Sequence, residues 1–127
     1  MTVPAWIASI LVDFGKGAGI PSLEFNERGT AAISFENGQA LRFEYVGGAL
    51  VVAMTVPAYL DPDRAKELLF YSHPDATLGF KVRTGYLARR GAALFAVKID
   101  ERAVTLPALN QAFSVLWRIA REFGGAE

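Results

Sequence analysis

The spacing at which apolar residues recur switches between about 3.6 and 2 along this chain, and the order of the switches limits the fold more than any motif does. Trp6, Ile7, Ile10, Leu11 and Phe14 recur at helical spacing, so "PAWIASILVDFGKG" predicts an amphipathic first helix. Pro4 suits its first turn, the glycines at 15, 17 and 19 offer left-handed positions to end it, and Ile20-Pro21 leads into extended chain. The period then drops to 2. "LEF" at 23–25, an "NERG" turn, "TAAISF" at 30–35, an Asn37-Gly38 hairpin signal and "ALRFEY" at 40–45 read as a meander of antiparallel strands. Leu41, Phe43 and Tyr45 alternate with Arg42 and Glu44, so one face is buried and the other meets water. "ALVVAMTV" at 49–56 is apolar on both faces, which calls for a central or doubly covered strand.

Helical spacing returns at Asp61-Pro62, a cap and first-turn pair, and must stop near His73 because Pro74 follows. Leu68, Leu69, Phe70 and Tyr71 in succession place large apolar groups nearly all round this short helix, so it needs neighbours on two sides. One of them can be a second protein chain. "TLGFKVRT" at 77–84 and "AALFAVKI" at 92–99 predict two further strands, and Thr105 caps a last helix with Pro107 in its first turn. Leu106, Leu109, Phe113, Leu116, Ala120 and Phe123 form its buried stripe, which Trp117 widens. The order is α-β-β-β-β-α-β-β-α, an α+β fold with an antiparallel sheet and three helices, and residues 1–127 read as one domain. The unshared apolar surface of Leu68, Leu69, Phe70, Tyr71, Phe95 and Val97 predicts a dimer.

Chemistry is hard to find in these residues. "DFGKGAGIP" looks like a phosphate loop, but Lys16 lies between glycines with no Ser or Thr behind it, and the kinase DFG belongs to a far longer domain. It reads as a helix exit. Cysteine is absent and His73 is the only histidine, which excludes thiolate metal sites, disulfides, histidine triads and multi-histidine metal sites. Asp61 and Asp63 are explained by helix capping and the helix dipole, while "DER" at 100–102 and "ARR" at 88–90 read as charged turns. No catalytic residue, metal or cofactor is expected. With 13 basic and 13 acidic residues, no net field draws the chain to nucleic acid or an anionic membrane. No apolar stretch is long enough to span a bilayer and no signal peptide is apparent, so the expected location is the cytoplasm.

The span "WIASILVDFGKGAGIPSLEFNERGTAAISFENGQALRFEY" and the tail "VKIDERAVTLPALNQAFSVL" resemble the Tir-chaperone (CesT-like) family of bacterial type III secretion chaperones, the tail most nearly the SycN-type members. The shared pattern is a D-E-R-x-x-T-L-P-x-L-x-Q-A-F run leading into the last helix. Many relatives are acidic, whereas this chain is balanced, with a pI near 6.6. The resemblance implies a non-enzymatic chaperone that dimerises with its own kind or with a different small chaperone. It also implies a client, a gatekeeper of the YopN kind, whose extended N-terminal segment is held soluble for export. An extended client must recover its lost backbone entropy from apolar grooves and strand-edge hydrogen bonds. Such a segment is expected on the first helix and meander at Trp6, Ile10, Phe14, Ile33, Phe35 and Phe43, positions that fit a plain core equally well. A signalling or ligand-sensing domain of the YbjN kind is the competing reading.

Overall fold

In a computed structural model of the chain, the described residues are 3–20, 22–58, 61–70, 81–87, 89 and 91–123, with the side chains of 67–70 left aside. The elements are helix α1 (Ala5–Gly17), strands β1 (Thr30–Ser34), β2 (Ala40–Val46) and β3 (Ala49–Pro57), helix α2 (Pro62–Phe70), strands β4 (Val82–Leu87) and β5 (Ala92–Asp100), and helix α3 (Leu106–Phe123). All strand pairs are antiparallel in the order β1-β2-β3-β5-β4, so the doubly apolar β3 is the central strand, as its sequence requires. The three-helix, antiparallel α+β plan holds.

One segment departs from the expected order. Leu23–Phe25 forms no strand, because Leu23 instead turns inward and packs under the end of α1. There it meets Gly15, where an added Cβ would lie 2.8 Å from Leu23 Cβ and 2.5 Å from the Ile20 carbonyl oxygen. Only glycine permits that approach. Gly19, at φ +81, supplies the left-handed turn that ends the helix, and Ile20 N–H donates back to the Gly15 carbonyl at 2.6 Å. The strand expected at 77–84 is shifted toward the C-terminus, with Tyr86 and Leu87 inside it, because pairing runs without a break from Val82↔Val97 to Leu87↔Ala92. Residues 77–80, and the stop of the short helix near His73, lie outside the described residues.

The local signals act as their chemistry dictates. Asp61 accepts from Arg64 N–H at 2.8 Å and Thr105 from Ala108 N–H at 3.1 Å, each satisfying a free donor of a first turn. Asn37 accepts from Gln39 N–H at 2.9 Å in the β1–β2 hairpin. The "DER" turn does more than carry solvated charge. Asp100 caps a 3-10 turn over Glu101–Ala103, Glu101 N–H donates to the Gly48 carbonyl at 2.9 Å, and the Glu101 carboxylate accepts from the Tyr45 hydroxyl. That turn therefore ties the β2–β3 hairpin to the entrance of α3.

Alternation sorts the sheet into two faces. Leu41, Phe43, Leu50, Val52, Met54, Phe95, Val97 and Ile99 point to one side and are buried beneath the two long helices. Phe14 of α1 meets Phe43 edge-on at 5.5 Å, and Phe123 of α3 meets Phe95 at 5.3 Å. The buried face of α3 comprises Leu109, Ala112, Val115, Leu116, Ile119, Ala120 and Phe123. The expected stripe is thus rotated, leaving Leu106, Phe113 and Trp117 half-buried at its margin. Each fully buried Leu, Ile or Phe contributes about 1.5–3 kcal/mol, so this one face is a major source of stability.

Candidate functional site

Aromatic rings form a run from the core to the surface. Phe43 contacts Phe14, Phe14 contacts Phe113 at 5.8 Å, Phe113 contacts Trp117 at 5.7 Å, and Trp117 contacts Phe35 at 5.4 Å. The inner members are enclosed, whereas Phe113, Trp117 and Phe35 are half-buried. On α1, Ile10 is half-buried and Trp6 is 47% exposed. Trp6 and Val46, each about half exposed, are the large apolar residues most open to solvent among the described residues. An indole so placed gives a folded monomer little and a partner much.

The edge of the sheet beside this strip is open. Tyr45 N–H donates to the Gly29 carbonyl and Phe35 N–H to the Gln39 carbonyl, so the odd-numbered residues of β1 face β2. Ala32 and Ser34 therefore direct their N–H and C=O groups away from the sheet. Thr30 does too, but its groups are taken by Asn26, which donates to the Thr30 carbonyl at 2.8 Å and accepts from Thr30 N–H at 3.1 Å. The outer edge carries neither proline nor charge, so it remains a template for a further strand.

The sequence-predicted residues divide between surface and core. Trp6, Ile10, Ile33 and Phe35 reach the surface, whereas Phe14 (3% exposed) and Phe43 (0%) support it from within and cannot meet a docking chain directly. Phe113 and Trp117 join the strip. Periodicity placed both in the stripe of α3, and only the pitch of that helix over the sheet shows that they sit at its rim. The expected subunit contact on β5 is corrected: Phe95 (0%) and Val97 (1%) are core residues, because their parity turns them toward α3. Leu94 and Ala96 are the half-exposed neighbours on the opposite face. Leu68, Leu69 and Phe70 lie on α2 with side chains outside the described residues, and Tyr71 lies outside them altogether.

Among the described residues no three His, Cys, Asp or Glu side chains gather as a metal site, and no buried side-chain polar atom lacks a hydrogen-bond partner. No described helix is long and apolar enough to cross a membrane. Lys16 is exposed at the end of α1. The half-buried rings and the exposed Trp6 suit burial of another chain's apolar groups.

Comparison with known proteins agrees with this. The chaperone protein SycN of Yersinia enterocolitica is 29% identical over 122 residues, spanning 93% of this chain and 96% of the relative, and SycN of Yersinia pseudotuberculosis matches equally well. Among solved structures, a chain of the ExsC–ExsE complex superposes with a TM-score of 0.81 at 18% identity over 98% of this chain and 95% of its own. The HopA1–SchA chaperone–effector complex gives 0.74 at 19% identity, covering 97% and 98%. The Yersinia pestis type III secretion chaperone SycH, in complex with a fragment of YscM2, gives 0.70 at 17%, covering 90% and 96%. The profile of the type III secretory system chaperone SycN family matches residues 6–124, and the chain belongs to that family.

Proposed function

We propose that this type III secretion chaperone holds an extended N-terminal segment of a secreted client, a gatekeeper of the YopN kind, across α1, the end of β1 and the rim of α3. The run of half-buried rings Phe113, Trp117 and Phe35 leading outward from Phe14 of α1, the helix that also carries the exposed Trp6, is the observation that carries the reading. Apolar client side chains bury against this strip while the client backbone pairs with the outward groups of Ala32 and Ser34. Neighbouring folds in chaperone–effector complexes support the same use. The chain acts as one chaperone domain without catalysis or cofactor, in the bacterial cytoplasm. A second chaperone subunit, identical or not, packs on the apolar surface of Leu68, Leu69, Phe70 and Tyr71.

The test pairs stability with capture. Trp6→Ala and Ile10→Ser should weaken pull-down of a co-expressed client N-terminal segment while Trp6→Ala changes unfolding free energy by less than about 1 kcal/mol, as a surface substitution does. Lost stability with undiminished capture would assign these residues to the core and remove the site.

A further inference from the structure

The sheet face turned away from α1 and α3 holds a depression of about 630 Å³. One cross-strand row defines its section: Arg42, Ala53, Ala96 and Arg83 are aligned neighbours on β2, β3, β5 and β4. Ala53 and Ala96 make a floor without bulk, Gly85 continues it opposite Leu94, and Val51 and Leu94 extend it along the strands. The two arginines stand three strand spacings apart, about 14 Å. An α-helix with its side chains is about 10–12 Å across and fits between them.

Cations outnumber carboxylates on this face although the whole chain is balanced. Arg42, Arg83 and Lys98 project from the strands here and Arg89 lines the depression, all of them exposed. None makes an ion pair among the described residues. The strand carboxylates on the same side are Glu44, which lines the depression two residues from Arg42, and Asp100, which is engaged by Arg102. The geometry points to a trough for an amphipathic helix of another protein, with a stripe of small apolar residues and carboxylates along both flanks. The small floor lets that stripe descend, and the arginines meet the carboxylates from either side. A second copy of this chain would bring the same excess of cations against this one, which opposes self-association through the face. The inference does not rest on the client strip, which occupies the other side of the sheet.

Two labelled peptides of about 18 residues, long enough to hold helix, test it: one with an Ala/Leu stripe flanked by Glu, the other identical but for Lys in place of Glu. Fluorescence anisotropy with the full chain should favour the Glu peptide by at least about tenfold, equivalent to about 1.4 kcal/mol. The double variant R42E/R83E should reverse the preference, and Ala96→Trp should block the Glu peptide while client capture persists. Equal affinities, no binding of either peptide, or an unchanged preference in R42E/R83E would overturn the proposal. So would sedimentation showing that R42E/R83E turns a wild-type dimer into a monomer, since the trough would then belong to a second copy.

Discussion

Glu101 shows how a residue acquires a role that its neighbours in sequence do not announce. Within "DER" it is one charge among three, yet in the fold its carboxylate accepts the Tyr45 hydroxyl and its backbone N–H meets the Gly48 carbonyl. The Tyr45 phenol is held above its ordinary value of 10.0, first by the hydrogen bond to Glu101, then by loss of solvent and by the carboxylate's negative charge. A group whose folded-state value is raised stabilises the fold fully below its unfolded value, and that stabilisation disappears as pH climbs through the folded one. The wild type should therefore lose more of its urea midpoint between pH 8 and pH 11 than Tyr45→Phe does. Parallel losses in the two proteins would show that the contact does not couple ionisation to folding.

At the scale of elements, β1 shows how an antiparallel ladder fixes which groups are free. Ile33 N–H and C=O lie within the ladder to β2, whereas those of Ala32 point outward, although the two residues are adjacent. Proline is tolerated where an edge strand's N–H faces solvent and is disruptive where it removes a ladder bond. Ala32→Pro is thus expected to keep the thermal unfolding transition and reduce client capture, and Ile33→Pro to lose the folded state. Full capture by a folded Ala32→Pro chain would remove strand addition from the mechanism. Helix α3 makes the complementary point, because a shift of its buried face toward Ala112, Val115 and Ile119 is what brings Phe113 and Trp117 to the rim.

For the whole molecule, the two faces of one sheet are given different work. The inner face binds α1 and α3 and makes a single apolar cluster from Ile7 to Phe123. With Phe95 and Val97 in that cluster, the proposed subunit contact rests on the segment Leu68–Tyr71. A permanent interface buries on the order of 2,000 Å², so one charge placed within it should be costly. Leu69→Asp or Phe70→Asp is expected to convert a sedimenting dimer to monomer or aggregate. A wild-type chain that remains monomeric at micromolar concentration, alone and with its co-expressed chaperone partner, would end the dimer reading.

The sequence by itself determined the elements whose causes are local. Pro4, Asp61 and Thr105 start helices, Gly19 and Asn37-Gly38 supply turns, a period of 2 marks β2 and β5, and an unbroken apolar run at 49–54 marks β3. The opening span from Trp6 to Tyr45 and the "DER…TLP…QAF" tail together carry the family resemblance, the tail the more specifically because it combines a turn, a cap and a helix. Whether Leu23–Phe25 would pair, and which apolar residues would stay at the surface, depended on neighbours far along the chain. Phe14 and Phe35 both belong to apolar alternations, yet one is enclosed by Phe43 and Phe113 and the other meets solvent beside Trp117. Hydrophobicity is a property of the residue, but exposure is a property of what packs over it, and only the tertiary structure decides that.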